Sequence, residues 1–290
     1  GDKQTGQFLS GSDVGRFEIR DDFFDITGQF TVPRSPQGRP VIFQAGDSEE
    51  GREFAAAEAD AIFSRYGTLT EGQAFYADIK GRMEKYGRAR DQLLVLPAAT
   101  FVLGDTDAEA REIAAEVRLQ QVSGQTAIKF LEQLWNRDLS AHDPDGPLPE
   151  IDPDAGEHTI ARGRASVRMH RDPLAVAKEW REIAEANGYS IRELIIHVTG
   201  RQNFIGSPAT IADAIDDLVQ QDAADGYILV PHITPDGLAD FAQRVVPLLQ
   251  EKGVFRTEYT GTTLREHLGL GPVAVRPAPL LARSTAGPEA

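Results

Sequence analysis

The stretch QAGDSEEG, residues 44–51, sets two glycines, a serine and three acids between an apolar run, Pro40-Val41-Ile42-Phe43, and a helix-forming run from Arg52 to Ala59. A strand that turns into a helix exposes the first helical N–H groups at the positive end of the helix dipole. This is the physical basis of a phosphate seat. Gly46 permits a close backbone approach, and Ser48 brings a hydroxyl. The same residues also make an ordinary helix start, with Ser48 as N-cap and Glu49 and Glu50 complementing the dipole without any ligand. Asp47 adds a further negative charge. Taken alone, the residues leave both readings open and favour the cap.

No other group in the chain forms a recognisable site by spacing. The six histidines, His142, His158, His170, His197, His232 and His267, share neither an HxH nor an HExxH pattern, so no metal centre is expected. His232 directly follows the apolar run GYILVP, where the carboxyl end of a strand would present it to a ligand; a rim histidine is the simpler reading. His142 and His158 fall in polar stretches and read as solvated. Asp143, Asp145, Glu150, Asp152 and Asp154 are interspersed with prolines and lack Ca²⁺-loop spacing, which reads as a solvated loop. There is no GxSxG, P-loop or GxGxxG sequence. The absence of cysteine excludes disulfides, thiolate metal sites and cysteine nucleophiles.

The elements that would position these groups follow a repeating pattern. Residues 16–20 and 23–32 alternate well enough for a hairpin, and the proline-rich 32–40 reads as a rigid connector. Strands are expected at 41–44, 61–64, 92–103 (broken at Pro97) and 226–230. Helices are expected at 49–59, 70–86, 108–121, 207–221 and from Thr234-Pro235 onward. The rhythm breaks over 124–200, an insertion with helices at 123–135 and 173–187, a Pro/Asp/Gly loop at 142–156, and a segment 190–198 that reads as either helix or strand. Short apolar strands alternating with amphipathic helices imply parallel βα units with ligands at the strands' carboxyl ends.

A chain of 290 residues with 41% hydrophobic and 26% charged residues has the balance of a soluble globular protein. The net charge of −15 argues against nucleic acid and against an anionic membrane surface. No apolar run reaches the roughly 18 residues of a membrane span. The amino terminus shows no leader pattern and no initiator methionine, and reads as cut from something longer. A cytoplasmic protein is expected.

The stretch VPRSPQGRPVIFQAGDSEEGREFAAAEADAIFS, residues 32–64, resembles the flavin-dependent, luciferase-like monooxygenases of the nitrilotriacetate and dibenzothiophene-sulfone monooxygenase group. ATFVLGDTDAEAREIA (99–114), IGSPATIADAIDDLVQQDAADGYILVP (205–231) and GLADFAQRVVPLLQEKGVFRTEYTGTTLREHLGL (237–270) resemble the same family, in order along nearly the whole chain. The resemblance implies an α/β fold, here part of an (α/β)8 barrel: about strands five to eight, with a helical insertion at 124–200, an irregular or hairpin lead-in at 1–40 and a flexible tail at 271–290. All of it would form the carboxyl-terminal part of a single domain. It implies a reaction of reduced FMN and O2 with a small organic substrate, one oxygen atom entering the substrate and the other leaving as water. A separate NADH:FMN oxidoreductase would supply the flavin.

By this resemblance the FMN phosphate maps onto Ala45, Gly46, Asp47, Ser48 and Gly51, with Gln44 near the flavin or its ribityl chain. Ser48→Ala is then expected to weaken FMN binding and leave folding intact, and Gly46→Val to impair both. Two departures stand out. Leu134 occupies a place where many relatives carry histidine, and HVTGRQNFIG (197–206) differs from the family's Gly/Arg/His run, leaving His197 and Arg201 as candidates beside His232. The expected partners are the reductase and either a second copy of the chain or a complementing amino-terminal half. The alternative is a catalytically incomplete half-barrel that serves as a flavin-binding or assembly module.

Overall fold

A computed structural model describes residues 2–8, 14–66, 68–154, 156, 172–200 and 202–273. Residues 274–290 of the tail expected at 271–290, together with His158, His170 and Arg201, lie outside the described residues. The chain divides into two units, one of residues 1–62, 82–94 and 258–290, the other of 63–81 and 95–257.

The first unit opens with the expected hairpin: β1 (Arg16–Arg20) pairs antiparallel with β2 (Asp25–Gln29), Ile19 opposite Ile26. After the connector come β3 (Phe43–Ala45), α1 (Glu49–Glu58) and the start of β4 (Ala61–Ser64). The carbonyl of Ile42 accepts from the N–H groups of Asp60 and Ala61, and the N–H of Leu94 donates to the carbonyl of Asp60. The entries to β3, β4 and β5 (Leu94–Leu103) are therefore adjacent. α1 packs through Ala55 and Ala56, small residues that bring the helix close.

In the second unit β5 is the central strand. It pairs in parallel with β6 (Phe204–Gly206), Phe101 opposite Phe204, and with β7 (Ile228–Pro231), Ala98 opposite Ile228. β5 is not broken at Pro97. The pairing with β7 begins one residue later, so the missing proline N–H costs no bond of that ladder. β6 has only three residues, too few to show a period-two pattern in the sequence. α3 (Asp107–Gln121) and α7 (Pro208–Gln220) begin with the side-chain caps Thr106 and Ser207, α7 with proline at its first position. α8 (Asp236–Arg244) and α9 (Val246–Glu251) complete this layer over a core that includes Phe101, Ile211, Phe241 and Val245. α2 (Leu69–Arg82) is tied to this unit where Asp225 accepts from Lys80 Nζ (2.8 Å), Tyr76 Oη (2.9 Å) and the backbone N–H of Val95 (2.8 Å).

The insertion holds a core of its own. α4 (Gly124–Trp135), α5 (Pro173–Asn187) and α6 (Ile191–Thr199) enclose Leu131, Trp135, Trp180 and Leu194. The ambiguous segment 190–198 is helical, because Ser190 and Glu193 form a capping box that only a helix start can make. Hydrogen bonds from Ser190 hold the Glu193 carboxyl below its ordinary range. Ser190→Ala should therefore cost about 1 kcal/mol, read as a lower urea midpoint.

In the 142–156 loop the acids Asp143, Asp145, Glu150 and Asp152 are exposed, as expected, while the backbone at 149–151 is strapped down: Trp135 Nε1 donates to the carbonyl of Ile151 (2.7 Å), and Arg181 donates to Asp152 and to the carbonyls of Pro149, Glu150 and Ile151. His142, expected to be solvated, is half-buried with Nδ1 shut off from solvent. Among the described residues the strands close no barrel, and no helix is long and apolar enough to cross a membrane.

Candidate functional site

The QAGDSEEG turn is built wholly within the first unit. β3 ends at Ala45, and Gly46 and Asp47 carry the chain to Ser48, whose extended backbone (φ −66°, ψ 163°) makes it the N-cap of α1. Ser48 Oγ accepts from the N–H of Gly51 at 3.1 Å. That bond uses a lone pair and leaves the hydroxyl proton for an acceptor outside the chain. Capping and anion binding, set against each other by the residue pattern, are compatible in this geometry. One expectation changes as a result: Ser48→Ala removes a formed cap and should cost stability, not leave folding intact.

Gly46 and Gly51 differ. A Cβ on Gly46 would meet only Gln44 Nε2, at 3.4 Å, so the space above this residue is open. A Cβ on Gly51 would press on the Gly46 carbonyl oxygen at 3.1 Å and on Ser48 Oγ at 3.2 Å. The crowded glycine is Gly51, where the helix start folds back on the turn. The expectation that Gly46→Val damages folding is therefore withdrawn, while its effect on an approaching ligand stands.

Of the acids that seemed to oppose an anion, Glu49 is paired with a cation. Arg82 grips Glu49 with two nitrogens, at 2.7 and 3.0 Å, and reaches Glu53 at 3.1 Å. The Lys85 ammonium, the Tyr86 hydroxyl and Arg82 hold the Glu53 carboxyl down at about 2. Arg52 lies one helical turn beyond the cap and leans back along α1, donating Nε to the Asp47 carbonyl at 2.9 Å. The turn is thus flanked by cations from its own helix and from residue 82.

Below the turn, Asp60 fixes the entry to β3. Its carboxylate, almost wholly buried, accepts from Arg39 (2.6 and 3.0 Å), from Arg265 Nη2 (2.7 Å) and from the backbone N–H of Ile42 (2.9 Å). Burial alone would raise its pKa. The hydrogen bonds from Arg265, the Ile42 N–H and Arg39 outweigh that and hold the carboxyl below its ordinary range. Arg265 belongs to α10 (Leu264–His267), so the carboxyl-terminal segment of this unit helps to hold the strand that ends in the turn.

The histidine candidates belong to the second unit. His232 stands directly after β7, half-buried, with Nδ1 at 3.4 Å from the Phe101 carbonyl. It is at the carboxyl end of a strand, as expected. His197 is exposed on α6, which leads into β6, and its ring meets that of Tyr189 at 5.5 Å. The place of Leu134 is a buried position in the insertion core. No cluster of metal-ligating side chains occurs among the described residues.

Sequence reasoning passed over Arg52, Arg82 and Asp60. For Arg52 a signal existed: an arginine one turn past an N-cap reaches back to the helix start. Glu49 and Arg82 are 33 residues apart, and no local pattern announces their contact.

In parallel α/β folds a glycine-opened turn between a strand and a serine-capped helix has the N–H geometry that can accept a phosphate. The family model for luciferase-like monooxygenases matches residues 8–226, and the chain belongs to that family. It is 37% identical over 277 residues to nitrilotriacetate monooxygenase component A of Aminobacter aminovorans, covering 92% of this chain and 58% of that protein. Among solved structures, DmoA from Hyphomicrobium sulfonivorans superposes with a TM-score of 0.69 at 25% identity, over 92% of this chain and 53% of that one. A riboflavin lyase, RcaE, solved with modified FMN and riboflavin, gives a TM-score of 0.66 at 27% identity, over 93% of this chain and 56% of that one. The chain therefore spans a little over half the length of these proteins.

Proposed function

We propose that this chain forms the cofactor-phosphate half of a two-component monooxygenase in which reduced FMN and O2 oxidise a small organic substrate. The turn at 44–51 would seat the FMN phosphate. The observation that carries the reading is the geometry of that turn within a luciferase-like family member: an open Gly46, a capping Ser48 with a donor proton to spare, and Glu49 paired with Arg82. FMN supplies the redox chemistry. This chain's residues would hold its phosphate through Ser48 and the first N–H groups of α1, give backbone passage at Ala45, Gly46 and Asp47, and place Gln44 toward the ribityl chain. Gly51 shapes the turn from below. His232, at a strand's carboxyl end, is the better proton-handling candidate of the two histidines. His197, on a helix that leads into a strand, takes no part.

Strands β3 to β7 would supply part of a barrel's lining. The remaining lining would come from residues matching the rest of the relatives' length, in the same polypeptide or on a complementing chain, with a second copy as a further partner. A separate NADH:FMN oxidoreductase would supply the flavin. Reliance on that reductase, together with the lack of cysteine, supports a cytoplasmic setting.

Ser48 provides the test. Ser48→Ala should weaken FMN binding about tenfold to a hundredfold, the value of one hydrogen bond to a charged group. It should also cost about 1 kcal/mol of stability through the lost cap. Ser48→Asp separates these effects, since aspartate caps as well as serine but repels a phosphate. It should keep wild-type stability and bind FMN more weakly than Ser48→Ala does. Wild-type affinity in Ser48→Asp would remove the phosphate from this turn.

A further inference from the structure

A groove of about 350 Å³ lies in the second unit, between the carboxyl-terminal half of α3, α6 and the residues that lead into β6. It is distinct from the strand ends where the chemistry of such folds is done. α3 begins beside the far end of β6, where the Asp107 carboxylate accepts from the Ser207 N–H at 2.8 Å. Eleven residues later it reaches the near end, where Arg118 Nε donates to Gln202 Oε1 at 2.7 Å. The groove opens at this near end. Arg192 fixes its two helical walls to each other, donating to the carbonyls of Leu119 (2.6 Å) and Val122 (2.8 Å) at the end of α3.

The lining carries more donors than acceptors. Arg118 and Arg111 bring two guanidinium groups, and Gln202 Nε2 is buried without a hydrogen-bond partner. Gly200 leaves room for the Arg118 guanidinium, which lies within 2.9–3.0 Å of where a side chain's Cβ would stand. The carboxylate at the rim, Glu193, is already engaged by the N–H and hydroxyl of Ser190. The rest of the wall is apolar, chiefly Ala114, Ile196 and Ile205, with the mutually tilted rings of Tyr189 and His197 at one side. A buried amide donor left unmade costs free energy, and a guanidinium fork matches a planar carboxylate. The volume falls in the range of small-molecule sites.

We propose that this groove binds a small organic carboxylate: its two oxygens on Arg118 and Gln202 Nε2, its hydrocarbon on the apolar wall, and Arg111 adding charge at the mouth. It would be a site for a second ligand, apart from the cofactor seat.

Benzoate and its uncharged counterpart benzamide are suitable probes, followed by saturation-transfer NMR and by the ring signals of His197 and Tyr189. Benzoate should bind saturably, shift both rings and bind about tenfold more tightly than benzamide, the scale of a charge-assisted contact. Arg118→Met should bring benzoate down to the benzamide level. If that variant does not fold, the exposed Arg111→Met serves, with a smaller loss and a weaker salt dependence. Equal binding of the two probes, unshifted His197 and Tyr189 signals, or wild-type benzoate affinity in a folded arginine variant would each overturn the assignment.

Discussion

Asp60→Ala should destabilise the protein by about 3–5 kcal/mol, the cost of leaving a buried guanidinium without its counter-charge. Arg265 is almost wholly buried and its Nε already lacks a partner, so loss of the carboxylate leaves little to satisfy it. The Ile42 N–H, which donates to the same carboxylate, is orphaned in the same step. Asp60→Asn keeps the shape and removes the charge, and should recover only part of the loss. The pH dependence has a definite sign. The folded carboxyl titrates below its ordinary value, so its contribution is complete above that value and disappears as pH falls toward the folded pKa. Urea midpoints of wild type should therefore fall below pH about 4 more steeply than those of Asp60→Asn. Parallel pH profiles would show that the Asp60 charge does not carry the cluster.

Gly46→Val should abolish tight FMN binding while the protein stays folded. A Cβ at residue 46 finds only the end of the Gln44 side chain, so the chain itself tolerates the change. A ligand phosphate approaching the turn meets the two valine methyl groups. Displacing it from two charge-assisted hydrogen bonds, each about 1.5–3 kcal/mol, lowers affinity by more than about a hundredfold. Gly51→Val should do the opposite, since its Cβ collides with the turn's own Gly46 carbonyl and Ser48 hydroxyl. That variant should lose stability first, read in the same urea titration. The contrast between the two glycines separates a ligand seat from a merely tight turn.

Much of this architecture was legible in the residues because the signals are local. Ser48, Ser123, Asp172 and Ser207 announce helices that begin one residue later, and β4 falls on its apolar run Ala61–Ser64. What escaped was set by distant partners. Pro97 reads as a break, yet β5 continues through it because the neighbouring strand begins its pairing at Ala98. The acids at 47–50 read as hostile to a phosphate, and only the fold shows that one of them, Glu49, is paired with Arg82 far along the chain. Asp60 is an unremarkable acid in sequence, and only folding brings Arg39 and Arg265 to it. The turn's position was readable, but its electrostatic balance required the fold.

The central claim, that the 44–51 turn holds the phosphate of FMN, is met most directly by comparing FMN with riboflavin, which differs only in lacking that phosphate. Both are titrated into the purified protein by flavin fluorescence. FMN should bind more than about a hundredfold more tightly than riboflavin, the sum of two charge-assisted contacts. The preference should collapse in Ser48→Asp. Equal affinities in the wild type, or a preference for FMN that survives Ser48→Asp, would contradict the account.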